Sequence, residues 1–457
     1  SPSRGLGDVY KRQGGGGGAQ LEQLDFVRVR MHSWEFETEW KAGDGVGESD
    51  RLPGIFAGYE RCGSRLMAFA MIAAFESFDL LRTLAIPDVV FASLLDAIER
   101  SYYDSVPYHC LLHAVDAMHS TFWLLRHGGV DEGLGKEHIF AMLFAAICHD
   151  ISHPGKNNAF CVQSRAHLAL LYNDRSVLEN MHASTTIRLL SRPEFEPHLL
   201  GKLSADEGKA VRETVIESIL ATDMAVHFDN LGKFSAQQSQ GFDLARAAER
   251  NLKLSTLVHL ADVATPSKTW GAYKRWLPRL FQEFFDQGDI ELAKGLPVAP
   301  FMDRRVPAPA KSQIGFCQFI VQPLFDAVSA TVPQLEAKLE NVETSLHFLK
   351  LWAELGPIPW PDAEPGAPAA EPPGAPVHAG VDEASGRPAI FWHAGKEALV
   401  TRVPGTVVPI VGMNELMPAP AAPGPATPNA TRLLGGDKAG GPRPVSYTHL
   451  RAHETDS

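Results

Sequence analysis

The sequence predicts an all-α fold, a compact multi-helix bundle built of helical subdomains. Three observations lead there. From residue 66 onward apolar residues recur with a period of 3.6, as in Val90, Phe91, Leu94, Leu95 and Ile98. Alternating strand patterns are nearly absent up to residue 361. Pro87 and Pro107 stand before periodic stretches, where a helix start tolerates proline.

Taken in order, the spacing predicts helices over 66–81, from Asp88 after Pro87, and over 108–127. A stripe of Ile139, Met142, Leu143, Ala146 and Asp150 marks the next. Further helices are expected at 161–171, 176–190, 205–221, 243–262, 269–287, 311–331 and 332–354. Residues 21–40, around Trp34, Phe36 and Trp40, read as an edge segment on the core. The G-x-G-x-G at 43–47 follows no strand, so it reads as a surface loop. One domain therefore spans 21–361. Residues 362–444 are rich in Pro, Ala and Gly and bury too little apolar surface to offset their ordering entropy, which predicts a disordered tail. Within it, 399–411 is locally apolar, and the Asn429-Ala430-Thr431 sequon reads as chance.

The two ends are set aside. SRGLGDVYKRQ at 3–13 and VSYTHLRAHET at 445–455 can be coded by opposite strands of one short DNA. They read as translated sequencing adapter, so 1–20 is taken as artefact plus glycine linker and 445–457 as artefact. The natural termini are left undefined.

A net charge of −12 argues against a nucleic-acid partner, which would favour a basic stripe. A phosphate-bearing substrate would then need a local positive charge such as a metal. The five cysteines form no CxxC and are odd in number, which fits free thiols in a reducing, cytoplasmic setting. The longest apolar runs, 66–75 and 139–148, are too short to span a bilayer.

The run 139–148 ends abruptly in His149-Asp150, and His153 follows. Imidazole and carboxylate together suit a borderline-to-hard divalent cation. Pro154-Gly155 cannot continue a helix and closes it. A buried salt bridge for Asp150 is the plainer alternative. His109 and His113 are spaced i, i+4, which predicts one helical face, with Asp116 beside them. Structural histidines would explain that pair equally well. TLVHLAD at 256–262 repeats the theme with His259 and Asp262. Glu179, His182 and Asp223 add polar groups to apolar helices, for which capping is the alternative. His113, His149, Asp150 and Asp262 can form a two-His, two-Asp centre. A carboxylate such as Asp150 can bridge two cations about 3.5–4 Å apart, which bring the pKa of a shared water toward about 7. His109 would protonate the leaving oxygen, a role worth about 10²–10⁴-fold.

These residues, in this order, resemble the catalytic domain of the class I 3′,5′-cyclic-nucleotide phosphodiesterases, from about residue 66 to 360. The motifs are YHxxxHAxD at 108–116, HDxxHPGxxN at 149–158, YNDxSVLEN at 172–180, LATDM at 220–224, HxAD at 259–262, EFFDQGD at 283–289 and KSQxGF at 311–316. The resemblance implies an HD-type phosphodiesterase fold. It implies a zinc held by His113, His149, Asp150 and Asp262, with Asp150 bridging to magnesium or manganese. It implies His109 as general acid and His153, Glu179, His182 and Asp223 ordering water around the metals. For the substrate it implies Gln313 on the purine edge, Phe316 on its face, and Val263 with Leu280 as the opposing clamp. Asn158, Tyr108, Met224 and Tyr273 complete the substrate-contacting set. Tyr273 favours cAMP by fixing the glutamine amide, whereas Thr265, where such members often have Asn, leaves dual use of cGMP open. Cys110, Ser152 and Met181 depart from the family pattern, none of them at an implied metal ligand.

The expected activity is hydrolysis of cAMP, or of both cAMP and cGMP, to the 5′-monophosphate. The alternatives are an HD-type phosphohydrolase acting on another nucleotide phosphoester and a catalytically weakened nucleotide-binding scaffold. A homodimer and a protein partner docked by the tail both stay open.

Overall fold

The chain is described by a computed structural model over residues 31–33 and 62–355, all within one unit of the chain. No strand forms among the described residues. The tail, both adapter-like ends, the 43–47 loop and most of 21–40 lie outside them.

Helices α1 Cys62–Ser77, α2 Leu80–Thr83 and α3 Asp88–Glu99 open the fold. Then come α4 Leu111–Arg126, α5 Lys136–Cys148, α6 Asn158–Gln163, α7 His167–Leu171 and α8 Val177–Leu190. The central part continues with α9 Glu196–Leu199, α10 Ala205–Leu220, α11 His227–Gln238 and α12 Ala247–Asp262. The last four are α13 Trp270–Ala293, α14 Pro309–Phe316, α15 Gln322–Ser329 and α16 Glu336–Leu355.

Helix α5 explains the arrangement. Every residue from His138 to Cys148 is buried, and the eight from Ala141 onward have no exposure at all. A helix apolar on all sides belongs at the centre of a fold. Helices α4 and α10 pack on it, and α12 packs on both of them. The start of α4 and the ends of α5, α10 and α12 bring the polar residues of the sequence motifs to one end of this four-helix core.

Several expected helices are shorter or split, each for a local reason. The stretch 66–81 breaks at Asp79, whose φ of 54° is left-handed. Arg165, φ 53°, divides 161–171 in the same way. The helix expected from 108 starts only at Leu111, because the backbone N–H groups of Tyr108 and His109 donate to the Glu283 carboxylate at 2.9 and 3.1 Å. His109 and His113 therefore do not share a helical face. The stretch 311–331 contains a π turn at Cys317–Val321. The long helix after Thr269 runs on to Ala293, with Pro278 on its exposed side. Helix α11 was not expected: only His227 and Phe234 on it are buried, so its apolar stripe is too thin to read.

One buried ion pair ties the core to the segment after α12. Lys268 Nζ donates to Asp116 on α4, and the two side chains are 1% and 3% exposed. Beside it, Asn341 and Ser345 of α16 donate to the carbonyls of Ser267 and Pro266. Removing one partner strands a buried charge. Asp116→Ala is expected to lower the unfolding free energy in urea by about 3–5 kcal/mol, and Asp116→Leu with Lys268→Met to recover most of it. A single variant as stable as the parent would show that the pair does not hold this end of the core together.

Candidate functional site

Four groups converge at the end of α5. His113 Nε2 lies 2.9 Å from Asp262 Oδ1 and 3.5 Å from Asp150 Oδ2. His149 Nε2 lies 3.2 Å from Asp262 Oδ1 and 3.1 Å from Asp150 Oδ2. Both imidazoles are buried. His149 Nδ1 donates to the Ala146 carbonyl at 2.8 Å, which leaves its Nε2 as a lone pair aimed at two carboxylates. Neither that Nε2 nor Asp150 Oδ2 completes a hydrogen bond. His113 Nε2 does hydrogen-bond Asp262 Oδ1, but two imidazole nitrogens and two carboxylates converging on one buried point are a donor set that suits a divalent cation. The electrostatics agree. Burial opposes charge on His149, yet Asp150 and Asp262 raise its pKa well above the usual imidazole value. The site demands positive charge at this point.

A second group adjoins the first. His182 Nδ1 donates to the Ile151 carbonyl at 2.7 Å, so its Nε2 lone pair faces Asp150 Oδ1 at 3.8 Å. Burial holds the His182 pKa down at about 4, so the ring stays neutral. His153, Asp150 and His182 bring ligand atoms within 4.8 Å of one another, as do His113, His149 and Asp262. The donor sets thus fit two neighbouring divalent cations, with Asp150 facing both. The His153 ring stacks between His109 and His182, at centroid distances of 4.2 and 5.5 Å. Its Nδ1 accepts the Gly155 N–H at 3.0 Å, a turn that needs Gly155 at φ 67°.

Glu179 is pushed up to about 7 by burial and by the neighbouring Asp223, against the two hydrogen bonds from Asn158 Nδ2. Asn158 Oδ1 accepts the Leu178 N–H at 2.9 Å. Instead of offering a free amide to a ligand, Asn158 braces Glu179 and the start of α8. Asp223 also accepts the Ala225 N–H.

His109 lies on the other side, its side chain 27% exposed. Its Nδ1 donates to Glu283 at 2.5 Å, so Nε2 is the free nitrogen. Burial works against a charged ring, but Glu283, with Asp150 and Asp262 behind it, raises His109 to about 9. Glu283 stays ionised at about 2, because His109, His153 and the Tyr108 N–H outweigh the cost of its burial. Glu283 was missed as a functional residue, although EFFDQGD carried the signal. Its role depends on a fold contact across 174 residues.

Of the residues expected at the base end, Tyr273 and Gln313 meet. The Tyr273 hydroxyl donates to Gln313 Oε1 at 2.7 Å, and both side chains are buried. Phe316 and Leu280 are half-buried against the core, Val263 is buried and Met224 is 42% exposed. Tyr108 stacks on the His113 ring at 4.8 Å, and its hydroxyl bonds to the buried Thr265. The departures Cys110, Ser152 and Met181 are structural. Cys110 caps α4, Met181 packs with Cys161 and Leu178, and Ser152 sits at φ 64° with its N–H on the Ser101 carbonyl.

This all-helical fold with paired His/Asp clusters has known counterparts. Residues 108–342, just over half of the chain, match the profile of the 3′5′-cyclic nucleotide phosphodiesterase family. The mouse dual specificity calcium/calmodulin-dependent 3′,5′-cyclic nucleotide phosphodiesterase 1C is 37% identical over 286 residues, covering 62% of this chain and 40% of that protein. A probable 3′,5′-cyclic phosphodiesterase, pde-1, of Caenorhabditis elegans is 38% identical over 250 residues, or 54% of this chain and 37% of that protein. The crystal structure of the phosphodiesterase domain of the Salpingoeca rosetta RhoPDE fusion protein superposes with a TM-score of 0.63 at 29% identity, over 73% of this chain and 98% of that one. The chain belongs to the 3′,5′-cyclic nucleotide phosphodiesterase family. It spans about two fifths of the length of those curated relatives.

The His109–Glu283 pair makes a pH-dependent contribution to stability. The raised His109 pKa gives stabilisation that is complete below 6.5 and lost as pH rises through about 9. The depressed Glu283 pKa gives stabilisation that is complete above 4.5 and lost as pH falls through about 2. The destabilisation caused by Glu283→Gln is therefore expected to be largest between pH 4.5 and 6.5 and to shrink toward pH 9 and above. Denaturant melts across that range would contradict this if the difference were flat. In the same variant the His109 ring signal, followed by NMR titration of metal-free protein, should titrate well below its parent value.

Proposed function

We propose that this chain hydrolyses 3′,5′-cyclic nucleotides, both cAMP and cGMP, to 5′-monophosphates with the help of two divalent cations. The observation that carries the reading is the convergence of the ring nitrogens of His113 and His149 with the carboxylates of Asp150 and Asp262. These four would hold one cation, zinc by its preference for imidazole and carboxylate, with Asp150 shared with magnesium or manganese. When bound, the cations supply Lewis-acid polarisation of the phosphoryl oxygens and a water acidic enough to attack at neutral pH.

The chain's own groups do the rest. His153, His182, Glu179 and Asp223 surround the second position with acceptors and a ring N–H, and would keep water oriented there. The water oxygen forms a bond to phosphorus as the bond from phosphorus to O3′ breaks. Against burial, Glu283 raises the His109 pKa, and the ring's Nε2–H would protonate O3′ as it leaves. Glu283 keeps that proton available by raising the ring's pKa and fixes the ring by taking Nδ1–H. At the other end Gln313, oriented by Tyr273, would hydrogen-bond the purine edge, with Phe316 against one face and Val263 with Leu280 against the other. An amide carries both a donor and an acceptor, which suits adenine and guanine alike, and the mouse relative is described as a dual specificity enzyme.

Purified protein with Mg²⁺ is expected to turn over both cyclic nucleotides, and chelation followed by metal return to abolish and restore turnover. Asp262→Ala should remove zinc from the protein by metal analysis and reduce kcat to near background. His109→Gln should cost about 10²–10⁴-fold in kcat while leaving metal content intact. Full activity in Asp262→Ala would sink the metal site. Turnover of nucleoside monophosphates but not of cyclic nucleotides would favour a different phosphohydrolase.

A further inference from the structure

Gln313 is 4% exposed, and its Nε2 has no partner among the described residues, while its Oε1 accepts the Tyr273 hydroxyl. Against that same hydroxyl lies the sulfur of Cys317, 3.9 Å away. Cys317 follows Gln313 by one helical turn, its backbone N–H bonded to the Gln313 carbonyl. It also opens the π turn Cys317–Val321 between α14 and α15. Such π turns are frequent at functional sites, because the extra residue re-aims neighbouring side chains.

The protons in this contact can be placed. Cys317 is fully buried, and burial pushes its thiol up to about 12 against the effect of Tyr273, so the sulfur keeps its hydrogen. A phenol has one hydrogen. Tyr273 gives that hydrogen to Gln313, so across the sulfur contact the thiol is the donor and the phenol oxygen the acceptor. The order is Cys317 S–H to Tyr273 O–H to Gln313 Oε1.

We propose that Cys317 is a positioning residue for nucleotide choice: its S–H fixes the direction of the Tyr273 hydroxyl and so keeps the Gln313 amide with Oε1 engaged and Nε2 free for the base. The inference rests on the cyclic-nucleotide reading of the site. Guanine presents an acceptor, O6, where adenine presents a donor, N6–H₂. A free Nε2 serves the guanine acceptor fully, whereas adenine is left the second lone pair of Oε1, so in this orientation Tyr273 favours guanine, the reverse of the cAMP preference that the resemblance implies for it. Without the thiol hydrogen, the Tyr273 oxygen accepts from Nε2 as readily as its hydrogen donates to Oε1. The amide then turns over and offers Oε1 to adenine.

The test compares kcat and KM for cAMP and cGMP in the parent, Cys317→Val and Cys317→Ser. Valine keeps roughly the volume without a donor, and serine keeps the donor. Cys317→Val should raise the cAMP:cGMP ratio of kcat/KM by about three- to tenfold, the range a single hydrogen bond commands. The change should lie mainly in KM. Cys317→Ser should stay within about twofold of the parent. A ratio unmoved in Cys317→Val, or moved equally by Val and Ser, overturns the proposal. Should valine prevent folding, Cys317→Ala is read by the same criteria. A parent that hydrolyses neither nucleotide sinks the underlying reading, whereas an active parent with an unmoved ratio sinks only the role of Cys317.

Discussion

Two carboxylates and two imidazoles meet at the end of a helix that is buried on every side, and negative charge in such a place must be matched. Asp150 is 7% exposed, next to Cys148 with no exposure at all. An unpaired carboxylate there would cost several kcal/mol, by the usual penalty for an isolated buried ion. The neighbouring imidazoles supply part of that compensation, since against the effect of burial His149 and His109 hold the Asp150 carboxyl well below its usual range. Backbone carbonyls of Ala146 and Ile151 take the Nδ1 protons of His149 and His182, so both rings turn lone pairs inward. Among the described residues no ion pair joins an arginine or lysine to the four groups; the buried Lys268 is paired with Asp116. Metal affinity and fold stability are therefore coupled, since a bound cation would relieve a strain that the core otherwise carries.

A second constraint runs along α13. Glu283, Gln287 and Glu291 follow one another at intervals of four and are all buried. Glu283 holds the 108–109 backbone and the His109 ring. Gln287 bonds both to the Asn157 backbone and to its side chain. Glu291 accepts from Gln287 and from the Ala299 N–H. One face of one helix thus fixes the segment carrying His109, the segment after His153, and the loop beyond the helix. Buried polar ladders of this kind cost stability unless every member is paired, and here each is. The gain is geometric: His109 is held in place by a helix that carries none of the four convergent groups.

The sequence was most legible where chemistry and local pattern coincide. An Asp at the end of an unbroken apolar run, and a second run ending the same way, pointed to His149, Asp150 and Asp262, and the fold does bring them together with His113. It was less legible where a distant partner overrides local preference. The i, i+4 spacing of His109 and His113 suggested a shared helical face. The Glu283 carboxylate instead captures two backbone N–H groups that would have begun the helix and keeps His109 outside it. Asn158 looked like a lining residue, and its amide is consumed by Glu179 and Leu178. Helix α11 left almost no apolar trace. Single left-handed residues such as Asp79 and Arg165 broke helices that periodicity alone would continue, because such breaks depend on a few local dihedrals and leave no mark on the hydrophobic pattern.

The two ends of the site are built on different physics, and this bears on what each can change. At the metal end, ring orientation is set by backbone carbonyls and charge balance, so replacing any one ligand upsets several others. The unusual residues in the motifs respect this. Ser152 sits in a turn, Met181 in packing, and Cys110 at the N-cap of α4, where its thiol faces the backbone N–H groups of His113 and Leu112. At the base end, the amide of Gln313 is set by a short relay of neutral groups whose direction depends on single hydrogens. Reversing such a relay changes no net charge and moves little volume. On the proposed reading, rate and nucleotide choice would be separable in this architecture: the first would rest on groups that cannot be altered singly, the second on a side chain, Cys317, that can.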